Sequence, residues 1–233
     1  GDARRALTAL EIAARSTPPD AEGRIRITAE VMAECVQRRV IAYDKDEDQH
    51  YDTISAFIKS IRGSDPDAAV YWLAKMLEGG EDPRFIARRL VISASEDIGN
   101  ADPRGLTVAV AAMQAVEFVG MPEARIALAQ ATTYLASAPK SNAAYLALDE
   151  AAADVRSGRV QPVPEHLKNV HVKAEGKAAA PAYKYPHDYR DTAVDQAYLT
   201  IPATYYRPKP AGYEDTIAKR LAWLRARKAQ ARE

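Results

Sequence analysis

Cysteine is almost missing from this sequence. Cys35 stands alone among 233 residues, which rules out an internal disulfide and favours a reducing compartment, the cytoplasm. Histidine is nearly as scarce. The four histidines, His50, His166, His171 and His187, are scattered, with none of the short His/Cys/carboxylate spacings that hold a metal ion. No apolar run approaches the roughly 18 to 20 residues needed to cross a bilayer, so no membrane partner is expected. An excess of either charge is lacking too, with 32 Lys+Arg against 32 Asp+Glu, so no field draws the whole molecule to nucleic acid. Any DNA binding must be weak, local, or supplied by other parts.

The nucleotide-hydrolase loop G-x-x-x-x-G-K-[ST] is absent. Gly176-Lys177 has no glycine at the first position and is followed by Ala178, so no row of backbone N–H groups is available to cradle phosphates. Ser93 and Ser141 lack a nucleophile elbow or an adjacent base. The chain opens Gly1-Asp2-Ala3-Arg4 without a methionine and without the basic-then-apolar pattern of a secretory signal. A piece of a longer protein is expected.

What is present is helical periodicity. Asp2 is a candidate cap for a helix over 3–15, with Leu7, Leu10 and Ala14 on one face, and a second helix is expected from Thr28 to about Ile41. The acidic run Asp44-Lys45-Asp46-Glu47-Asp48 reads as a solvated connector and gives a division into 1–48 and 49–233. Beyond it a stop-and-start signal recurs: Gly63-Ser64-Asp65-Pro66, Gly79-Gly80-Glu81-Asp82-Pro83 and Gly99-Asn100-Ala101-Asp102-Pro103. Glycine suits the left-handed end of one helix, aspartate caps the next, and proline at the first helical position forfeits no hydrogen bond. Ile54, Phe57, Ile58 and Ile61, then Ala69, Val70, Leu73, Met76 and Leu77, then Ile86, Leu90 and Ala94 supply apolar faces between the stops. Ala-rich helices over 103–119, 122–137 and 141–157 continue the array, and short connections make neighbours antiparallel. The spacing is a helix length without a shared side-chain motif, which predicts an all-α bundle or collar rather than a solenoid.

Residues 160–213 differ, holding seven of the 14 prolines and seven of the 12 tyrosines with no sustained period. A C-terminal helix from about Glu214 to Arg232 carries Ile217, Leu221 and Leu224 among Lys219, Arg220, Arg225, Arg227, Lys228 and Arg232. Two readings of the irregular segment stand side by side. Tyr183, Tyr185, Tyr189, Tyr205 and Tyr206 with Lys184, Arg190, Arg207 and Lys209 can stack on and neutralise single-stranded DNA. Equally, the tyrosines can strap the segment over the helices and bond through their hydroxyls. Lys59, Arg62, Arg84, Arg88 and Arg89 pose the same choice between phosphate contacts and a solvated face. Arg4 and Arg5 sit in a helix's first turn, where the dipole disfavours cations, a pattern that fits either phosphate sensing or plain solvent exposure.

Gly1-Asp2-Ala3-Arg4-Arg5-Ala6-Leu7 resembles the sensor-2 motif that begins the last part of an AAA+ lid. The runs from His50 to Asp67 and from Glu81 to Leu90, with Ser95-Glu96-Asp97-Ile98-Gly99, Ala138-Pro139-Lys140-Ser141-Asn142-Ala143-Ala144-Tyr145 and Tyr185-Pro186-His187-Asp188-Tyr189, resemble the replication-associated recombination protein A family, clamp-loader-like AAA+ ATPases of the MgsA type. The resemblance implies an oligomerisation and regulatory part of a DNA-dependent ATPase that acts in replication, recombination and repair. It implies residues 1–48 as the end of the lid, residues 49–233 as a homotetramer-forming domain, and Arg4 as a nucleotide contact. By the same resemblance ATP and Mg belong to the whole protein and no cofactor to this part. DNA partners come through the whole protein, and replication proteins are further candidates. The alternatives are a free-standing helical module for single-stranded DNA or protein, and a small hydrolase using His187, Asp188 and Tyr189. The chain by itself is expected to hydrolyse no ATP. A coupled-enzyme assay should read background, and turnover that co-purifies with the chain and disappears in Arg4→Ala would overturn this.

Overall fold

The computed structural model describes residues 47–168 and 182–230, together with 23–32 and positions 7, 10, 13, 14 and 17–19. Arg4, Cys35, most of the expected second helix and residues 169–181 lie outside the described residues. Among the described residues from 47 onward seven α-helices follow one another: α1 (Glu47–Arg62), α2 (Pro66–Glu78), α3 (Pro83–Ser93), α4 (Arg104–Val119), α5 (Ala124–Ser137), α6 (Ala143–Arg156) and α7 (Tyr213–Gln230). No strand occurs among the described residues, so the fold is all-α as the periodicity predicts. Before α1, residues 29–32 are helical, Ala13 is fully buried, and Leu7 and Leu10, expected on the packed face, are exposed. Residues 47 and 48 belong to α1 rather than to a connector.

The recurring stop signals do the work the sequence assigns to them. Asp65 Oδ1 accepts from the Ala68 N–H at 2.9 Å and Asp82 Oδ1 from the Arg84 N–H at 2.9 Å, with Pro66 and Pro83 opening their helices. Asp102 Oδ1 accepts from the Arg104 N–H at 3.2 Å, and Pro103 already has helical dihedrals. The helix ends close in a shared way: the Asp65 N–H reaches the Ser60 carbonyl (3.0 Å) and the Ser64 N–H the Ile61 carbonyl (3.2 Å). The same pair of bonds follows α2 at Gly80 and α6 at Gly158, both with positive φ. After α1 the left-handed residue is Ser64 (φ 62°), not Gly63. Gly63 is instead still bonded to the Lys59 carbonyl, and a Cβ there would lie 3.0 Å from that oxygen.

Helix α5 is the hub, packing on α1, α2, α3 and α4. Its inward face, Ala124, Leu128, Ala131, Leu135 and Ala136, alternates small and large residues so that four neighbours can approach it. Around it Phe57, Ile61, Met76, Ile86, Leu90 and Ile98 are almost entirely shielded from water, each contributing about 1.5 to 3 kcal/mol of apolar transfer. Trp72 packs half-buried against this cluster, whereas Phe57, Ile61 and Met76 are core and unavailable to a partner. Phe57→Ala is expected to lower stability by about 3 to 5 kcal/mol, read as a fall in the urea midpoint at constant slope. A loss under about 1 kcal/mol would contradict the placement of Phe57 at the core.

Candidate functional site

Three of the motif runs that stand far apart in sequence, 50–67, 95–99 and 138–145, meet at one junction. After α3 the chain does not stop at once: Ala94–Ile98 form a π turn and Gly99–Ala101 a 3-10 turn. In the π turn the Gly99 N–H reaches back to the Ala94 carbonyl, and Asp97 is turned inward and buried. Arg62, at the end of α1, spans this turn, donating from Nε to Asp97 Oδ1 (2.5 Å) and from NH2 to Glu96 Oε1 (2.9 Å). The hydrogen bond to Asp97 raises the Arg62 guanidinium further above its usual range, with desolvation opposing it. Asp97 Oδ2 is buried with no donor.

The 138–142 loop docks on the same turn. The Ser141 N–H donates to the Asp97 carbonyl (2.8 Å), and Gly99, at φ 50°, is obliged to lack a Cβ because the Ser141 carbonyl oxygen would sit 2.6 Å from it. Lys140 folds back on α5, its Nζ donating to the carbonyls of Leu135 (3.0 Å), Ala136 (3.1 Å) and Ala138 (2.5 Å), which satisfies a helix C-terminus that ends without glycine. Burial pushes its ammonium below the usual lysine range, partly offset by the charge of Asp97. Next door, Tyr134 donates to Asp102 Oδ2 at 2.5 Å. Burial pushes the Asp102 carboxyl up, but Tyr134 and Arg104 outweigh it and hold the group below the carboxylate range.

From this junction the irregular segment is strapped down residue by residue. Thr200 Oγ1 donates to the Pro162 carbonyl (2.8 Å), and the Ile201 N–H to Gln161 Oε1 (2.7 Å). Further along, Tyr205 donates to Asp154 Oδ2 (2.9 Å), Arg207 NH1 to both Glu150 oxygens (2.8 and 2.7 Å) and Lys209 Nζ to Asn142 Oδ1 (2.6 Å). The partners step backward along α6 as the chain advances, so the strap runs antiparallel to the helix. Tyr206, between two α6-facing residues, turns the other way, as alternation along extended chain requires. Its hydroxyl donates to Glu214 Oε1 (2.6 Å) and accepts from Asn100 Nδ2 (3.1 Å). Glu214, fully buried in the first turn of α7, also accepts from the Lys209 N–H at 3.2 Å. Gly212, at φ 53°, passes so close that a Cβ would fall 2.1 Å from the Ala101 carbonyl oxygen.

Of the expected nucleic-acid contacts, Tyr205, Tyr206 and Arg207 are thus brought together as strap anchors, each spent on an acid of this chain. Lys184 lies apart, its Nζ on the Asp195 carbonyl (3.3 Å), and Arg190 is exposed beside Asp191 (3.9 Å). Arg4 lies outside the described residues. Arg88 stands over the Phe85 ring at 5.7 Å, while Arg62 holds the π turn. Among the described residues no three His, Cys, Asp or Glu side chains gather as a metal site would require. Ser141 is buried, its hydroxyl accepting from the Ala143 N–H, and His187 packs on the Tyr185 ring.

Two residues that carry this architecture were not singled out by the sequence reading. Glu214 is signalled weakly, as an acid two places after a glycine at a helix start. Asp97 lies in the run Ser95–Gly99 that carries the resemblance, but no composition in that run marks a π turn or a buried acid.

This is an all-α helical domain in which Arg62, Tyr205, Tyr206 and Arg207 hold elements of the chain to one another. The family model described as MgsA AAA+ ATPase C terminal matches residues 63–225, and that described as AAA C-terminal domain matches residues 1–62; the chain belongs to the MgsA AAA+ ATPase C-terminal family. An uncharacterized AAA domain-containing protein of Mycobacterium tuberculosis is 52% identical over 230 residues, covering 97% of this chain and 50% of that protein. Replication-associated recombination protein A of Bacillus subtilis is 48% identical, covering 95% of this chain and 53% of that protein. Its Escherichia coli namesake is 43% identical, covering 96% and 51%. The chain therefore spans about half the length of the curated relatives it matches.

Burial, then the hydrogen bond to Glu214, raises the Tyr206 phenol above its usual value. A phenol raised on folding contributes stability that is complete below the unfolded value of about 10 and is lost as pH rises through the folded one. Tyr206→Phe is expected to cost about 1 to 2 kcal/mol at neutral pH and to flatten the alkaline fall in stability. Urea titrations at neutral pH and near pH 11 test this, and an unchanged alkaline fall would contradict it.

Proposed function

We propose that this chain is the C-terminal oligomerisation and regulatory part of a DNA-dependent AAA+ ATPase that maintains replication forks and serves recombination and repair in the cytoplasm. Residues 1–48 finish the AAA+ lid, with Arg4 as its nucleotide contact, and 49–233 form a collar that joins four subunits. ATP, Mg and the main DNA contacts belong to the whole protein, and this part holds no cofactor of its own. The collar acts indirectly: by keeping subunits at high effective concentration, it lets an arginine of one reach the nucleotide of the next.

The observation that supports this reading is an imbalance of burial. Among the described residues beyond 140, Ala143 and Val194 are the buried apolar side chains, whereas Tyr145, Leu148 (70% exposed) and Val155 (60% exposed) line one side of α6 in water. Ordering a residue's backbone costs about 1 to 2 kcal/mol, and two small buried side chains with a row of exposed and part-buried polar bonds offset only part of that. A second copy laid on α6 supplies the missing burial.

Sedimentation equilibrium of the 233-residue chain across a wide concentration range is expected to show a closed homo-oligomer, and Leu148→Glu with Val155→Glu to reduce it to one subunit while the helical circular dichroism persists. A mass of one subunit throughout would favour the free-standing module instead.

A further inference from the structure

Helix α7 carries a charge pattern that neither the junction nor the strap uses. Beyond Asp215 it holds Lys219, Arg220, Arg225, Arg227 and Lys228, with no carboxylate up to Gln230. Asp215 pairs with Lys219 at 2.6 Å. Arg220 and Arg227 instead flank Trp223, their guanidinium carbons 4.4 and 5.8 Å from its ring, at the three- and four-residue spacings that share one helix face. The irregular segment brings a third arginine and an acid to the same place. Arg227 NH2 donates to Asp191 Oδ2 at 2.8 Å, and Arg190 Nε stands 3.9 Å from that oxygen. The hydrogen bond from Arg227 is the main cause holding the Asp191 carboxyl below its usual range, and the charges of Arg190 and Arg220 add to it. Beside this group Lys228 lies 5.6 Å from the Tyr198 ring, whose hydroxyl accepts from Gln196 Nε2 at 2.8 Å.

One carboxylate thus faces three guanidiniums, and the surplus positive charge lies against two aromatic rings that are 38% (Trp223) and 46% (Tyr198) exposed. Guanidiniums match phosphate oxygens in a planar fork, and a partly exposed ring takes an unpaired base whatever its sequence once the cation over it turns to phosphate. A duplex hides its base faces, and an acidic peptide offers no unpaired base to stack. We propose that Arg190, Arg220, Arg227 and Lys228, set around Trp223 and Tyr198, bind single-stranded nucleic acid, with the cations on backbone phosphates, the rings stacked on bases and Asp191 as a built-in counterion. This surface lies away from Tyr205, Tyr206 and Arg207, whose polar groups the strap consumes, and it does not depend on the oligomer reading.

Fluorescence anisotropy of labelled oligo(dT) with the whole chain, titrated at several salt concentrations, tests the assignment. Arg220→Ala with Arg227→Ala is expected to weaken binding and to reduce the slope of log K against log salt by about 1.4. Trp223→Ala should raise the Kd about fivefold or more at unchanged slope. Asp191→Asn should tighten binding about two- to fivefold, a gain that misfolding cannot mimic, since the substitution removes an ion pair. Unchanged affinity and slope in the double variant, or no tightening by Asp191→Asn, would overturn the proposal. Tighter binding to duplex than to oligo(dT) would do the same, as would equal capture by phosphatidylglycerol vesicles that the double variant abolishes.

Discussion

The ion pair between Arg62 and Asp97 is what the outer half of the molecule depends on. It fastens the end of α1 to the π turn after α3, and the Ser141 N–H, the 138–142 loop and α6 take their positions from that turn. The next turn of chain, Gly99–Ala101, receives α7 through Asn100, Tyr206 and Glu214. The main packing partners of α6 and α7 are therefore these two short turns, not the core helices. Removing Arg62 leaves Asp97, 6% exposed, as a buried carboxylate without its donor, and buried charges stripped of a partner are far costlier than surface ones.

This attachment divides the chain energetically. The part from α1 to α5 is a closed hydrophobic bundle around a small-residue hub. The part beyond it is held by hydrogen bonds and ion pairs that individually contribute little where water competes. A layer so held has apolar side chains to spare on α6 and cations to spare on α7. Surfaces of those two kinds suit different partners, another copy of the chain for the first and a polyanion for the second, and they lie on different elements.

How much of this was legible in the sequence follows from how local each cause is. The helix starts at Pro66, Pro83 and the end of Asp102-Pro103 were readable because capping and proline geometry act within three residues. The apolar faces that carry Phe57, Ile61, Met76 and Leu90 were readable from period, whereas their burial in the core rather than at an interface comes from the structure. That the positive φ falls on Ser64 rather than Gly63 was not, since two adjacent small residues offer the same local choice and the extent of α1 decides it. The π turn was illegible for a related reason: Ser141, which bonds to it, lies some forty residues on. The strap was one of two open readings of the tyrosines, and the acids that select it, Asp154 and Glu214, lie outside the segment on the helices that flank it. Arg220, Trp223 and Arg227 did carry a local signal in their spacing, but Asp191 and Arg190, which give the cluster its meaning, arrive from another element.

The central claim is that α6 is an unfinished surface completed by a second copy of the chain. Hydrogen–deuterium exchange followed as a function of chain concentration tests it directly, because exchange reports local opening helix by helix. The account predicts that α6 amides exchange fast at low concentration and become protected as concentration rises, while those of α2 and α5 stay equally protected throughout. Amides of α6 as slow as those of α5 at the lowest concentration, and unchanged on raising it, would contradict the account.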